Sequence, residues 1–308
     1  MKFFVTGGAG FIGSHLTNSI IKHANKITIY DNFSNSSKEK ISSLIQKGVN
    51  LIEGDILDYP KLSNSMQDHD IVVHLAAQID VAESIKNPGF TKKENVDGTL
   101  NVLNSCKKNN IKNFIGISSA AVYGNSNELP LQENSPTLPI SPYGQSKLDM
   151  EKEIENFSKT NNLNSIILRI FNVYGKGQTD AYAGVITKFL KNMQNNKELT
   201  IFGDGTYSRD FIHVNDVINA ILSASKNITG KRGNTYNIAS GEKVSINELA
   251  KLMLLISNKD LNISYLPPKK GDIPHSQADI TLAKKELDFI PSISLKEGLE
   301  DLYQTNSF

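Results

Sequence analysis

A tyrosine and a lysine four positions apart are the first residues of this sequence whose spacing could support chemistry. Tyr143 and Lys147 lie in the stretch SPYGQSK, where Ser141 can cap a helix and Pro142 fits a first helical turn. On a helix, residues four apart share a face, so a phenol and an ammonium group could reach one ligand. The alternative is a solvated lysine beside a packed tyrosine, and a cofactor site elsewhere in the chain would favour the catalytic interpretation.

A glycine-rich turn near the N-terminus predicts such a cofactor site. Gly7, Gly10 and Gly13 follow a predicted strand and enter a predicted helix in FFVTGGAGFIGSHL. Glycines permit a tight turn, and the backbone amides at a helix N-terminus bind a pyrophosphate. The second predicted strand ends at Asp31, whose carboxylate can accept from the adenosine ribose and would repel a 2′-phosphate. The pattern predicts NAD rather than NADP; the alternative is a glycine turn followed by a capping aspartate.

Residues after the third and fourth predicted strands could contact the rest of a dinucleotide. Asp55 could contact the adenine, and it could equally be a turn residue. Ala76 and Ala77 are small enough to let the dinucleotide pass.

Polar residues near the predicted nicotinamide suggest proton transfer. A lysine ammonium stabilises a nearby tyrosinate, so Tyr143 could move a proton to or from a substrate hydroxyl near neutral pH, while Lys147 could also bond the nicotinamide ribose. Ser119, after the fifth predicted strand, could bond and orient the same hydroxyl. For the adjacent Ser118, satisfying backbone groups at the strand end is the better interpretation.

Short apolar runs alternate with longer amphipathic runs through the first half of the chain, which is the rhythm of βαβ units. This predicts an α/β fold: a Rossmann-type doubly wound parallel sheet with a smaller C-terminal substrate-binding α/β lobe. Strands are predicted near 2–6, 27–30, 49–53, 71–75, 112–117 and 164–170, with a long helix around 91–109.

The pattern becomes richer in loops beyond about residue 172. We therefore predict a Rossmann domain over 1–171 that carries the catalytic candidates, and a mainly substrate-binding lobe over 172–308, with some exchange of chain between them. The proline-rich segment 124–142 has no periodicity and predicts an ordered loop over a site.

Composition disfavours several classes of partner. The 308 residues are 39% hydrophobic, and 33 Lys and Arg balance 32 Asp and Glu, so no large net field would attract nucleic acid or an anionic membrane. The N-terminus lacks a signal-peptide pattern and no run reaches membrane-spanning length, which predicts a cytoplasmic protein. Cys106 is the single cysteine; a small residue packed in a helix is a better interpretation than a nucleophile, and no spacing indicates a metal site.

Many motifs of the chain follow one another in an order found in one enzyme group. They are TGGAGFIGSHL, Asp31, GDI at 54–56, HLAAQ at 74–78, ENVDGTLNVL with Asn95, SSAAVYG, YGQSK, RIFNVYG with Asn172, SRDFIHVND with Arg209, and GDIPHSQAD. Through them essentially the whole chain resembles the extended short-chain dehydrogenases/reductases, and specifically the NAD-dependent UDP-sugar 4-epimerases. In that group's reaction, hydride passes from C4 of the sugar to tightly held NAD, the 4-keto sugar turns over, and hydride returns to its other face.

The resemblance also implies residue roles. Tyr143 would be the base, Lys147 its electrostatic partner and a ribose ligand, and Ser119 the serine that bonds the reacting hydroxyl. The implied cofactor-binding set is Gly7, Gly10, Phe11, Ile12, Gly13, Asp31, Asn32, Asp55, Ile56, Leu75, Ala76, Ala77, Asn95, Ser118, Tyr143 and Lys147. The implied substrate-binding set is Ser119, Tyr143, Asn172, Arg209, Lys269, Asp272 and Ser276.

Arg209 suits a diphosphate through its bidentate donors, although it could instead pair with Asp210 or Asp204. His213 and Asp216 are better interpreted as bracing this loop and capping the next helix.

A departure from the family pattern concerns the second diphosphate ligand. The family commonly has an arginine just before GD, where this chain has Lys269 and Lys270; a lysine keeps the charge and loses the fork.

Two further positions bear on the reaction and the sugar. Related dehydratases and decarboxylases place an acid after the position of Ser119, and this chain has Ala120 and Ala121, which favours simple epimerisation. Ser276 matches the family's gate beside the C2 substituent, where a bulky aromatic is associated with exclusion of N-acetyl sugars. We therefore expect UDP-N-acetylglucosamine as well as UDP-glucose to be accepted.

Other functions remain open at this point. They are a UDP-glucuronate 4-epimerase, for which no cation for the carboxylate is identifiable, another nucleotide-sugar-modifying relative, and a non-catalytic NAD-binding sensor. The resemblance also implies a homodimer packed through helices near 91–109 and 143–160, although amphipathic helices there would equally fit burial within one subunit.

Overall fold

The computed structural model describes residues 1–126, 128–178, 184–268 and 271–305. Their strands are β1 (Lys2–Thr6), β2 (Lys26–Asp31), β3 (Asn50–Glu53), β4 (Ile71–His74), β5 (Asn113–Ser119), β6 (Asn164–Ile170), β7 (Asn172–Tyr174), β8 (Leu199–Phe202), β9 (Ser208–Arg209), β10 (Phe211–His213), β11 (Arg232–Ile238), β12 (Val244–Ser245) and β13 (Ile263–Leu266). The α-helices are α1 (Phe11–Ile20), α2 (Ser42–Gln46), α3 (Tyr59–Ser65), α4 (Val81–Lys86), α5 (Pro88–Lys92), α6 (Gly98–Lys108), α7 (Pro142–Asn161), α8 (Val185–Gln194), α9 (Val214–Lys226), α10 (Ile246–Ser257), α11 (Thr281–Leu287) and α12 (Leu295–Gln304).

Seven of these strands form one parallel sheet in the order β11-β6-β5-β4-β1-β2-β3. Side chains alternate between its two faces, as the strand geometry requires. Phe3 and Val5 of β1 join the apolar cluster under α1 and α9, whereas Phe4 joins the cluster under α3, α6 and α7. Both faces are therefore covered by helices, and the predicted doubly wound Rossmann-type fold is confirmed.

The order of strands reverses between β1 and β4, since the chain builds β1, β2 and β3 to one side and β4, β5 and β6 to the other. At such a switch point a crevice opens outside the carboxyl ends of the strands, where ligands of this architecture bind. The residues that follow β1, β4 and β5 line this edge, and they include the glycine turn and the candidate Ser119.

The six predicted strands all occur, with ends within two residues of the predicted positions. The helix predicted over 91–109 is interrupted, because a π-helical turn at Lys93–Asp97 separates α5 from α6. Cys106 is buried in α6, as predicted, and burial raises the pKa of its thiol.

Helix α7 begins as the sequence predicts. The Ser141 side chain accepts from the Gly144 amide at 3.1 Å, and Pro142 opens the first turn. The helix ends where Asn162 adopts a left-handed conformation with φ of 54°.

The predicted division at residue 171 does not match the sheet. Its seventh strand, β11, comes from the segment assigned to the C-terminal lobe, and α9 and α11 pack against the sheet as well. The exchange of chain between lobes is thus larger than a boundary at 171 suggests. The lobe has its own apolar cluster, contributed by α8, α10, α12 and β8.

Within the described residues, no helix combines the length and the apolar character needed to cross a membrane.

Candidate active site

The glycine turn between β1 and α1 is fixed by close backbone contacts. Gly7 has φ of +66°, and a Cβ on it would lie 2.6 Å from the Ala76 amide nitrogen. A Cβ on Gly13 would lie 2.4 Å from the Gly7 carbonyl oxygen. Gly10 precedes α1 without a side-chain cap, so no side-chain oxygen covers the first amides of the helix. This cradle of backbone amides fits a dinucleotide pyrophosphate.

The Asp31 carboxylate ties the glycine turn to the loop after β2. It accepts from the Ala9 amide at 2.9 Å, the Phe33 amide at 2.8 Å and the Ser36 hydroxyl at 3.1 Å. A carboxylate has about four acceptor positions, so these three bonds leave room for a ribose hydroxyl. The glycine turn and Asp31 therefore still fit NAD. The role of Asp31 in binding the ribose stays a prediction.

Asp55 acts as a turn residue in the described contacts. One carboxylate oxygen accepts from the Leu57 amide at 2.8 Å, and the other accepts from Asn32 at 3.2 Å. Ile56 is buried and packs against Gly98 at the start of α6. A Cβ on Gly98 would lie 2.4 Å from the Ile56 side chain. These contacts hold the third predicted cofactor segment against α6.

A histidine that the sequence analysis left without a role lies beneath the edge of the sheet. The Thr6 hydroxyl contacts His74 Nδ1 at 2.7 Å, and His74 Nε2 contacts the Thr99 hydroxyl at 2.9 Å. Because Thr99 donates onward to the Asn95 carbonyl oxygen and Thr6 accepts from the Ala76 amide, Nε2 carries the proton and Nδ1 accepts. Burial, and secondarily the charge of Lys147, lowers the pKa of His74 to about 3, so the ring stays neutral.

Asn95 braces the helices around the site. Its side chain accepts from the Gln78 amide at 2.8 Å and donates to the Gln78 carbonyl at 2.8 Å and the Ser146 hydroxyl at 2.9 Å. Ser146 in turn donates to the Tyr143 carbonyl at 2.8 Å. The Asn95 side chain, which was predicted to bind the cofactor, thus makes hydrogen bonds within the protein. These bonds link the segment after β4 to α7.

The structure brings Ser119 and Tyr143 together. A Cβ on Gly144 would lie 2.6 Å from the Ala121 carbonyl oxygen, so this glycine lets α7 approach the turn that follows Ser119. Burial raises the pKa of Tyr143, and a hydrogen bond with the Ser119 side chain opposes that shift. The Tyr143 amide donates to the Ser84 hydroxyl at 3.1 Å, which anchors the start of α7.

Lys147 lies one turn further along α7, and only 4% of it is exposed. Its ammonium donates to the Ile117 carbonyl oxygen at 2.9 Å. Burial lowers the pKa of Lys147 to about 8, against an opposing contribution from Glu151. The expectation that Lys147 depresses the pKa of Tyr143 is not met: burial dominates, and the opposing contact comes from Ser119.

The contact of Ser118 differs from the strand-end interpretation, and its role in binding the cofactor stays a prediction. Its hydroxyl donates to a carboxylate oxygen of Glu151 at 2.5 Å, not to a backbone group. Arg169 pairs with the same carboxylate through two hydrogen bonds of 3.0 and 2.7 Å. Sequence analysis missed this buried network, because its members come from β5, α7 and β6.

A cavity of about 540 Å³ lies on the side of the C-terminal lobe. Its walls include three predicted substrate residues and several aromatic side chains: Asn172, Arg209, Asp272, Tyr174, Phe189, Phe202, Tyr207 and Phe211. A pocket of this volume with both polar and aromatic lining residues suits a nucleotide.

Arg209 pairs with Asp272 at 2.6 Å rather than with Asp210 or Asp204, so the alternative ion pairs are wrong. Its guanidinium also donates to the carbonyl oxygens of Ser208 and Pro274 at 3.0 and 3.3 Å. These contacts fix the orientation of the Arg209 guanidinium in the wall of the cavity.

Asp210 instead organises the segments around the cavity. Its carboxylate accepts from the Ser240 amide and hydroxyl at 2.9 and 2.6 Å, the Gly241 amide at 3.0 Å and the Ala278 amide at 3.1 Å. Its carbonyl oxygen accepts from the side chain of Asn172 at 3.0 Å. Burial raises the pKa of Asp210 to about 6, against these hydrogen bonds.

His213 and Asp216 have the predicted structural roles. His213 caps α9 by accepting from the Asn215 amide at 3.3 Å, and Asp216 accepts from the Ser292 and Ile293 amides at 3.0 Å each.

The other two predicted substrate residues to be located are Ser276 and Lys269. Ser276 is 8% exposed, its amide donates to the Ser208 carbonyl at 3.1 Å, and it is not among the described residues that line the cavity. Lys269 and Lys270 lie outside the described residues.

Comparison with solved structures finds close relatives over nearly the whole chain. UDP-glucose 4-epimerase from Thermotoga maritima, solved with UDP-glucose, is 35% identical with a TM-score of 0.93, covering 99% of each chain. UDP-N-acetylglucosamine 4-epimerase from Methanobrevibacter ruminantium, in complex with UDP-N-acetylmuramic acid, is 35% identical with a TM-score of 0.93, covering 98% of this chain and 97% of that one.

A variant of UDP-glucuronic acid 4-epimerase from Bacillus cereus, in complex with UDP-4-deoxy-4-fluoro-glucuronic acid and NAD, is 34% identical with a TM-score of 0.91, covering 99% of this chain and 98% of that one. The model of the NAD dependent epimerase/dehydratase family matches residues 3–239. Since that match covers more than half of the chain and the solved relatives share its fold throughout, the chain belongs to the NAD dependent epimerase/dehydratase family.

Proposed function

We propose that this protein inverts C4 of a UDP-hexose, interconverting UDP-glucose with UDP-galactose and UDP-N-acetylglucosamine with UDP-N-acetylgalactosamine. The observation that carries the proposal is the convergence of Ser119, Tyr143 and Lys147 at the carboxyl end of β5, beside the glycine turn. The three solved relatives are 4-epimerases of UDP-sugars, which supports the same reaction.

The residues that would hold the cofactor are the glycine turn, Asp31 and Lys147. When bound, NAD supplies the acceptor and donor of hydride. Tyr143 takes the proton of the C4 hydroxyl as the sugar is oxidised and returns a proton when the hydroxyl re-forms. Ser119 orients that hydroxyl and favours the tyrosinate through its hydrogen bond. Lys147, with its pKa near 8, is mostly cationic at neutral pH and would bond the nicotinamide ribose.

The cavity would hold the nucleotide part of the substrate. Arg209 and Asn172 lie at one side of it, where the fork of Arg209 can bond a diphosphate. Asp272, which pairs with Arg209 at 2.6 Å, fixes the direction of that fork. The roles predicted for Lys269 and Ser276 remain predictions.

Epimerisation is favoured over elimination by the turn after Ser119. Ala120 and Ala121 occupy that turn, and the Ala121 amide donates to the Ser119 hydroxyl at 3.2 Å. Neither side chain can supply the acid that expulsion of water needs.

The proposal is tested by proton NMR of the purified protein with UDP-glucose and, separately, UDP-N-acetylglucosamine, without added NAD. We expect the C4-inverted product from both sugars, its loss in Tyr143→Phe, and its retention in the matched variant Tyr265→Phe, whose side chain is 54% exposed. Turnover of UDP-glucose alone would contradict the argument from Ser276. Retained NAD without turnover of any UDP-sugar would indicate a binding protein instead.

UDP-glucuronate is the second candidate substrate, because the Bacillus cereus relative is a UDP-glucuronic acid 4-epimerase. A uronate substrate needs one cation for the carboxylate at C5 and another for the diphosphate. Arg209 and Lys188 are cations among the described residues that line the cavity. Including UDP-glucuronate in the same NMR series decides between the sugars. Homodimer formation stays a prediction, which light scattering of the eluted protein tests.

A further inference from the structure

Two side chains of α7 bond consecutive residues of β5. Lys147 donates from its ammonium to the Ile117 carbonyl oxygen at 2.9 Å, and Glu151 accepts from the Ser118 hydroxyl at 2.5 Å. Lys147 and Glu151 are also one helical turn apart, so their head groups lie on the same face of α7. The ammonium and the carboxylate therefore both lie between this helix and the sheet.

Glu151 is held rigidly by its partners. Arg169 meets its two oxygens at 3.0 and 2.7 Å, and the side chains of both partners are 7% exposed or less. The guanidinium is fixed in turn by the Tyr123 hydroxyl and the Glu133 carbonyl oxygen, each at 2.9 Å. A bidentate arginine and a hydroxyl donor therefore satisfy the oxygens of this buried carboxylate.

The titratable groups near Lys147 come from three elements. They are Glu151 and Tyr143 of α7, the uncharged His74 of β4, and Arg169 of β6, whose guanidinium is directed at Glu151. The direct contacts of the ammonium are to neutral atoms, the Ile117 carbonyl and the Met150 sulfur at 3.9 Å.

We propose that Glu151 is the buried counter-ion that keeps Lys147 cationic, and that Arg169 and Ser118 position Glu151 for this purpose. Glu151 is not among the candidate cofactor or substrate residues and does not line the cavity, so it is a positioning residue that acts through Lys147. The pKa of Lys147 is about 8 with the carboxylate in place, because burial lowers it and Glu151 raises it, so loss of the carboxylate would move the ammonium towards its neutral form at neutral pH.

The charge state of Lys147 is measured directly by NMR titration of protein labelled with ¹⁵N in lysine side chains, with the Lys147 signal assigned by its loss in Lys147→Met. Glu151→Gln keeps the shape of the side chain and removes its charge. We expect the Lys147 titration to move down by at least about one pH unit, because an opposite charge at close range is lost. Glu151→Asp, which restores the charge, should recover most of the shift.

A matched control lies one turn further along the same helix. Glu155 pairs with Lys159 at the surface, and its side chain is 47% exposed, so Glu155→Gln should leave the Lys147 titration where it was. An unchanged titration in Glu151→Gln, or an equal shift in Glu155→Gln, would overturn the proposal.

Glu151→Gln leaves Arg169 buried without its partner, so it could fail to fold. The double variant Glu151→Gln/Arg169→Gln avoids an unpaired charge, and the proposal predicts a downward shift of the Lys147 titration in it as well. A double variant that folds and titrates as the parent protein does would overturn the proposal.

The catalytic consequence rests on the proposed function. The alkaline limb of the pH profile of kcat should move down with the Lys147 titration in Glu151→Gln, and a purely structural role would lower kcat at every pH without moving that limb. Because the NMR titration needs no substrate, a shift in a protein that turns over no UDP-sugar would uphold the counter-ion and reject the epimerase.

Discussion

The cofactor side and the cavity side of the candidate site are built in opposite ways. The cofactor side comes from neighbouring segments, β1, the glycine turn, α1 and β2, and backbone atoms set its shape. The cavity side comes from segments far apart in the chain, and side chains join them: Asp210 bonds Ser240, Gly241 and Ala278, and Arg209 bonds Asp272. The first kind of construction is encoded locally, whereas the second depends on distant parts of the chain meeting.

This difference explains why one side can be recognised from the sequence and the other only in part. Gly7, Gly10, Gly13 and Asp31 lie within one βαβ unit, so spacing alone predicts their arrangement. Four mutations separate the two kinds of construction, and they are ordered below by the size of the expected effect.

Gly13→Ala should damage the cofactor side most. A Cβ at this position would lie 2.4 Å from the Gly7 carbonyl oxygen and 2.6 Å from the Gly8 Cα, and backbone atoms in a tight turn cannot move aside. We expect the free energy of unfolding to fall by about 3 kcal/mol and bound NAD to be lost. Denaturant unfolding and chromatography of released nucleotide measure the two effects.

The control for this mutation is Gly89→Ala, because a Cβ there would meet nothing within 4 Å. Any protein that remains folded after Gly13→Ala should still bind UDP in the cavity. Retention of NAD at the parent level would show that the turn tolerates a side chain and that its shape is not what selects the cofactor.

Asp210→Asn tests the cavity side in the same way. The amide replaces one acceptor oxygen by a donor, which then faces amide and hydroxyl donors in a fully buried site. We expect a loss of about 2 kcal/mol in the free energy of unfolding and weaker binding of UDP by calorimetry, with NAD content unchanged.

Asp204→Asn is the matched control, since the Asp204 carboxylate is exposed and accepts from Thr206 alone in the described contacts. If Asp210→Asn lowered NAD content as much as UDP affinity, the two sides would not be independent, and the comparison between them would fail.

What the sequence could and could not predict follows from the same distinction. The positions of Tyr143, Lys147 and Ser119 on α7 and at the end of β5 can be predicted because helix spacing and strand ends are local signals, and the six strands can be predicted because βαβ rhythm is local. The seventh strand, β11, was missed because it joins the sheet after a long excursion through the C-terminal lobe.

Contacts between distant segments account for the other differences. The sequence does not show that Ser118 meets Glu151, or that Arg209 chooses Asp272 over its neighbour Asp210. The pKa of Tyr143 could not be predicted either, because it depends on how deeply α7 buries the phenol.

His74→Gln probes the polar chain beneath the cofactor side. Burial lowers the pKa of folded His74 from 6.5 to about 3, so the unfolded chain binds a proton that the folded chain does not. As pH falls below 6.5, the free energy of unfolding should therefore drop by about 1.4 kcal/mol per pH unit from this residue alone. Glutamine can still donate and accept, and it removes the titration.

Chemical denaturation at a series of pH values between neutrality and about pH 5, one to two units below the unfolded pKa, measures this slope. His74→Gln should lie on a flatter line than the parent protein, whereas His23→Gln, at an exposed position, should run parallel to the parent. Parallel lines for both variants would mean that the ring of His74 is protonated in the folded protein.

Ser84→Ala should have the smallest effect. It tests whether the catalytic edge, by which we mean Ser119 at the end of β5 and Tyr143 at the start of α7, also depends on side-chain contacts. The Ser84 hydroxyl accepts the Tyr143 amide at 3.1 Å and donates to the Val81 carbonyl at 2.7 Å. Its removal leaves a first-turn amide of α7 without this partner, which should cost about 1 kcal/mol in the free energy of unfolding.

We expect kcat to fall several-fold at constant NAD content, since the phenol loses one of the contacts that direct it, while Ser42→Ala at an exposed hydroxyl leaves kcat unchanged. A parent-like kcat in Ser84→Ala would mean that Gly144, packed against the Ala121 carbonyl, fixes Tyr143 without the contact from Ser84. The catalytic edge would then belong with the glycine turn, as a region whose geometry the backbone sets, and dependence on side-chain contacts would be confined to the cavity side.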